Sequence, residues 1–227
     1  AIKDFTELGS GFKIAMRDLS IRGAGNLLGA QQHGFIDSVG FDLYSQMLTE
    51  AVQRKQGKNT QTEKTSVEID LGIDAYLPTT YIEDERQKIE IYKRIRELET
   101  IDMLDELQDD LMDRFGEYPD EVAHLLAVGE LKMNGDRALL ERIRKQEQLI
   151  TVVLSKVGTK AYTVEQLFKS LGHTKLKATL GVEKEQMHLK LTIPNGMKTM
   201  VWLHEVQSFV ADLRKERYQT MKEKTTQ

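Results

Sequence analysis

No cysteine occurs in the 227 residues, which excludes structural disulfides, thiolate metal sites and thiol nucleophiles together. A reducing cytoplasm suits that composition, and a cytoplasmic location is the expectation. No run approaches the roughly 18 apolar residues of a membrane span, and the first residues lack the basic-then-apolar order of a signal peptide. No membrane partner and no targeting address are therefore expected. No GxxxxGK[ST] stretch is present, so the backbone cradle and lysine that would surround nucleotide phosphates are missing. His33, His124, His173, His188 and His204 are scattered without the i, i+4 spacing of a helical zinc site. Structural roles are expected for all five, with His188 at an ordinary exposed position. Neither catalytic residues nor a metal site are assigned.

Charge is plentiful but unevenly placed. The net charge of −4 conceals a polarity: residues 81–121 hold 15 acidic and 6 basic side chains, whereas residues 122–227 hold 11 acidic and 18 basic ones. Two readings are open, solvated helix faces of opposite sign or charge-complementary docking onto a partner or another domain. The run Glu83-Asp84-Glu85-Arg86 opens an amphipathic segment and reads as favourable charge at a helix amino terminus. Asp109 and Asp110 adjoin in sequence but project in different directions from a helix, so they form no acid/base pair. Trp202 reads as a core or half-core residue, with Lys198 the one basic neighbour in sequence.

Glycine divides the chain. Seven of the 16 glycines lie between Gly9 and Gly40, a density that signals tight turns and close backbone approach. Residues 1–8 read as the last turns of a helix, and Ala1 is not a methionine, so the chain is expected to be a piece of a longer one. Gly9-Ser10-Gly11 breaks that helix, Phe12, Ile14, Ala15, Met16 and Leu19 line a second, and the pair forms a helical hairpin. A glycine-rich loop runs to about Gly34, and Phe41, Tyr44, Met47, Leu48, Ala51 and Val52 mark a following helix. Residues 1–40 hold four basic and four acidic side chains, so electrostatics alone identify no DNA surface. Gly23-Ala24-Gly25-Asn26-Leu27-Leu28-Gly29 is GxGxxxG, one residue longer than the dinucleotide fingerprint and preceded by a helix. Arg22 stands at the hinge between helix and loop, where its five donors suit a carboxylate, carbonyl or phosphate, or cap its own helix.

Residues 56–66 are polar and read as a linker. From Val67 the pattern Val67, Ile69, Leu71, Ile73 alternates as a half-buried strand does. Three amphipathic helices follow, with Thr100 as a cap, Gly116 as a stop and Pro119 in a first turn. Residues 149–154, 176–182 and 187–193 then read as antiparallel strands, Val164, Leu167, Phe168 and Leu171 as a short helix, and Met200 to Leu213 as a long one that frays from about Tyr218. The expected fold class is α+β: a hairpin, loop and helix over residues 1–55, a linker over 56–66, and an α+β domain with a small antiparallel sheet over 67–227.

The run GSGFKIAMRDLSIRGAGNLLGAQQHGFIDSVGFDLYSQMLTEAV, residues 9–52, resembles the translocation motif shared by transcription-repair coupling factors and RecG-type branch-migrating translocases. IRGAGNLLGAQQHG followed by VGFDLYSQML, with LGIDAYLPTTYIEDERQKIEIYKRI and DRFGEYPDEV downstream, resembles the bacterial coupling factors more than RecG. That resemblance implies an ATP-dependent double-stranded DNA translocase that displaces stalled RNA polymerase and recruits the excision-repair protein UvrA. ATP and Mg²⁺ would belong to motor domains outside this chain, which is not expected to hydrolyse ATP alone. Arg22 and Gln32 match the family residues that couple hairpin and motor, and Gly23, Gly25, Gly29 and Gly34 would set the loop's shape. His33 stands where many members have serine. Residues from about 71 onward would form the domain that covers the UvrA-binding surface by an intramolecular contact. The alternatives are an interaction module without direct DNA function, or a fragment of a RecG-type helicase.

Overall fold

The computed structural model describes residues 66–226. The hairpin, the glycine-rich loop, the helix after it and nearly all of the linker lie outside the described residues. Those that are described divide into two compact units, residues 72–126 and residues 66–71 with 127–226. Together they hold six helices and one five-stranded, mostly antiparallel sheet, so the fold class is α+β.

The first unit begins as an extended segment in which Ile73, Ala75 and Leu77 are buried in alternation with more exposed neighbours. Leu77 N–H donates to the Tyr92 hydroxyl at 3.0 Å, and the chain turns at Pro78, whose carbonyl accepts from Tyr81 and Ile82. Helix α1 (Glu85–Arg96) starts where Asp84 accepts from the N–H groups of Arg86 and Gln87. The acidic run thus caps a helix, a contact of about 1 kcal/mol. Helix α2 (Ile101–Phe115) is capped by the Thr100 hydroxyl and closed by Gly116 at φ +82°, a left-handed backbone that a side chain would strain. Ile91, Tyr92, Ile95, Leu104, Leu107 and Leu111 give the two helices their buried stripes. Helix α3 (Asp120–Arg137) follows Pro119, which stands just ahead of the first turn and accepts from Val122 and Ala123. The boundary between the units falls within α3.

The second unit is built on strands β1 (Glu68–Asp70), β2 (Leu140–Gln146), β3 (Leu149–Leu154), β4 (Lys177–Glu183) and β5 (Gln186–Thr192), in the order β1-β2-β3-β5-β4. Only the β1–β2 pair is parallel. The ladder register places Ile69, Ile143, Val152 and Leu189 in one row, with Ile150 and Leu191 in the next, and all are buried. Lys145 shares that face, and its ammonium lies 5.6 Å from the centre of the Trp202 ring. Helix α6 (Thr199–Thr225) therefore covers this side of the sheet, with Trp202, Leu203, Val206, Phe209, Val210 and Leu213 buried along one stripe. Each such large side chain contributes about 1.5–3 kcal/mol by leaving water.

Two short helices fill the connection from β3 to β4: α4 (Lys156–Ala161) and α5 (Val164–Gly172). α4 makes a close approach to the α3–β2 junction. A Cβ on Gly158 would stand 2.5 Å from the Leu139 carbonyl oxygen, and that oxygen also accepts from Ser155 N–H and Oγ. Tyr162, next in line, donates to the Ala138 carbonyl at 2.7 Å and lies 3.2 Å from that of Leu213.

Several expectations need correction. The strand from Val67 is buried in alternation through Leu77, but its ladder spans only three residues, Glu68–Asp70, and pairs parallel with β2. β2 and α4 were not expected at all. Phe168 is 57% exposed, because Leu167, Ser170 and Leu171 are the residues that α5 buries. α6 does not fray at Tyr218. It runs to Thr225, tied to α5 through Lys169–Glu216 at 3.0 Å and a Gln166–Thr220 hydrogen bond.

Candidate interaction surfaces

Charge separates along the unit boundary. Residues 72–126 hold 16 acidic and 6 basic side chains, and residues 65–71 with 127–227 hold 13 acidic and 18 basic ones. The two bodies thus carry net charges of −10 and +5.

In the acidic unit, helix α2 turns Leu104, Leu107 and Leu111 inward and leaves Asp102, Asp105, Glu106, Asp109 and Asp113 exposed. None of these five carboxylates is in an ion pair among the described residues, and exposed Ile101, Met103 and Met112 lie on the same helix. Asp110 is different. It faces α1 and takes Arg94 at 2.5 Å and Arg114 at 3.1 Å. The hydrogen bond from Arg94, aided by Arg114, holds its carboxyl below the usual carboxylate range. Arg114 also reaches Glu90 at 3.1 Å and lies 5.0 Å from the centre of the Phe115 ring. Glu90 first and Asp110 second raise the Arg114 guanidinium further above its ordinary value. The network is structural in geometry: it clamps α1 to α2 and leaves the exposed acids of α2 as the open surface.

In the basic unit, polar contacts likewise join elements rather than converge on a cavity. Asp136 accepts from Val67 N–H at 2.7 Å and holds β1 to the end of α3. Asn134, itself buried, accepts from Arg214 at 2.9 Å, and Glu130 accepts from Gln207, so α3 is hydrogen-bonded to α6 at two levels. Burial, together with Arg137, lowers the Arg214 guanidinium from its ordinary value. Lys156, Lys160, Lys175, Lys198, Lys215 and Lys224 stay exposed.

His124 contacts the Asp74 carbonyl at 2.8 Å, and His173 lies 3.5 Å from Asp212. His188 is not in the open position expected of it: its side chain is largely covered and stands 3.7 Å from Glu183. Trp202 is buried as expected, but its basic neighbour is Lys145 from β2, which proximity in sequence does not reveal. No group of three or more metal-ligating side chains occurs among the described residues. No described helix is long and apolar enough to cross a membrane. Arg22, Gln32, Gly23, Gly25, Gly29 and Gly34 all lie outside the described residues.

Comparison with known proteins identifies the family. The TRCF domain profile matches residues 71–181. The crystal structure of the C-terminal domain of a transcription-repair coupling factor superposes with a TM-score of 0.64 at 38% identity, covering 68% of this chain and 97% of that one. The chain belongs to the transcription-repair coupling factor family. The coupling factor of Bacillus subtilis is 48% identical over 222 residues, 97% of this chain and 19% of that protein. That of Staphylococcus aureus strain USA300 is 53% identical over 196 residues, 86% of this chain and 17% of that protein. The chain thus spans about a fifth of the length of these coupling factors.

Proposed function

We propose that this chain serves an ATP-dependent double-stranded DNA translocase that displaces stalled RNA polymerase and hands the lesion to excision repair. In that reading residues 9–52 form the translocation motif, and residues from about 71 onward form a regulatory domain that masks a UvrA-binding surface in the resting enzyme. The match to coupling factors over 97% of the chain carries the reading. Separation of charge between two compact units supports it, since opposed surface potentials give docking that is reversible and salt-sensitive.

Arg22 and Gln32 would transmit motion from the motor to the loop, and Gly23, Gly25, Gly29 and Gly34 would let the loop's backbone approach duplex DNA. ATP with Mg²⁺, bound by motor domains elsewhere in a longer protein, would supply the energy. The test is a hybrid in which this chain replaces the matching segment of the Bacillus subtilis coupling factor. Arg22→Ala in the hybrid is expected to retain ATP hydrolysis within about twofold while displacement of a third DNA strand falls by more than about tenfold. Unimpaired strand displacement by that variant would refute the coupling role.

A further inference from the structure

Strand β4 ends the sheet: it pairs with β5 on one side and with no strand on the other among the described residues. Seven residues long, it presents a row of backbone donors and acceptors that can template another strand. Ala178, Leu180 and Val182 lie on the face that α6 covers, and Lys177, Thr179, Gly181 and Glu183 lie on the opposite face. The apolar cover stops short of this edge, for Ala178 and Leu180 are only half-buried and Val182 is 64% exposed.

The sequence of β4 is complementary to itself. In an antiparallel pair centred on Leu180, Lys177 of each copy stands opposite Glu183 of the other, Thr179 opposite Gly181, Ala178 opposite Val182, and Leu180 opposite Leu180. Opposite charges then meet on the open face, while the apolar row continues unbroken across the junction. Sliding the register by two residues keeps the faces but shortens the ladder, and it sets Lys177 against Gly181 or Glu183 against Thr179. A slide by one residue inverts the faces.

We propose that the β4 edge is a docking site for a second copy of this chain, joined antiparallel about Leu180 into one continuous sheet with two-fold symmetry. A lysine on an edge strand ordinarily blocks such pairing; here the same strand supplies the carboxylate that receives it. Lys177 has no ion pair among the described residues. Glu183 lies 3.3 Å from Lys190 and 3.7 Å from His188, yet its side chain is 59% exposed and keeps room for a second ammonium. Strand-on-strand contact covers little area, so the dimer belongs to the weak, concentration-dependent class.

Sedimentation velocity of the full 227-residue chain over rising concentration reads the association. Lys177→Glu or Glu183→Lys alone is expected to weaken it about tenfold, by setting like charges face to face twice per dimer, and the double exchange is expected to restore it. The cysteine-free sequence allows a second measurement. Leu180→Cys is expected to form a disulfide-linked dimer under mild oxidation, whereas Lys177→Cys, whose two copies would be roughly 20 Å apart, is not. A chain that stays monomeric at every concentration, a double exchange no better than either single change, or crosslinking through Lys177→Cys in place of Leu180→Cys would each overturn the proposal. All of these positions are exposed or half-buried, so loss of fold is separable by circular dichroism.

Discussion

The Asp110 carboxylate receives two guanidinium groups, yet its side chain is still one-third open to water. Solvent screening therefore limits the contact to roughly 1 kcal/mol. Its folded-state pKa is depressed, so this stability is fully present above the unfolded value of about 3.9 and is lost as pH falls through the folded one. Urea denaturation of Asp110→Asn at pH 7 should show a loss of about 1 kcal/mol that is smaller near pH 2. An equal loss at both pH values would mean that geometry rather than charge is responsible. The sequence showed that Asp109 and Asp110 diverge, because neighbours on a helix sit about 100° apart. The i, i+4 spacing of Asp110 and Arg114 was a signal open to the sequence, whereas the contact with Arg94 was not, since Arg94 lies on another helix. The same holds for Lys145 above Trp202: contacts across elements are set by topology, and the sequence spacing of residues 145 and 202 carries no trace of them.

At the scale of elements, what was legible followed from uninterrupted periodicity. β4 and β5 alternate in sequence, β3 is a short apolar and β-branched run, and the caps at Asp84 and Thr100 and the stop at Gly116 carry the residue types that those backbones need. β2 escaped because an irregularity between Leu140 and Arg142 breaks its period of two, and because Arg142, Arg144 and Lys145 make it look like a solvated loop. α4 escaped because six residues are too few for a helical period to declare itself. The β4–β5 hairpin turns at Lys184 and Glu185, both with positive φ, at 50° and 65°. Neither residue type favours that conformation, which Asn-Gly adopts readily. Replacing the pair by Asn-Gly should raise stability by about 1 kcal/mol, the relief of strain outweighing the extra entropy of an unfolded glycine. Equilibrium urea unfolding measures it, and an unchanged midpoint would show that the turn stores no strain.

For the whole molecule, the sequence revealed two poles of charge, and the structure shows that each pole coincides with a compact unit. The sequence put the change of sign after residue 121; the unit boundary lies between residues 126 and 127, within α3, where a helix hides it from any reading by linkers. Arg22 stands out in the sequence by its place between helix and glycine-rich loop, but the coupling role expected of Arg22 and Gln32 rests on resemblance alone, since four bases and four acids in residues 1–40 cancel. On the proposed regulatory role, one of the two poles holds the UvrA-binding surface closed. The acidic unit packs its −10 into 55 residues, whereas the basic unit spreads +5 over about twice as many, so its field at the surface is the stronger. Asp102, Asp105, Glu106, Asp109 and Asp113 of α2 are also exposed and in no ion pair among the described residues, so a partner would meet them without first breaking an internal bridge. Asp105→Lys, Asp109→Lys and Asp113→Lys together, in the hybrid coupling factor, should therefore increase UvrA capture at about 0.05 M salt by tenfold or more. Raising salt to about 0.5 M shrinks the screening length to a few ångströms, and there the unmodified hybrid should approach the variant. Equal capture by both at low salt would remove the acidic helix from the regulatory contact, and the matching exchange of Lys156 and Lys160 to Glu would then decide whether the basic pole does that work.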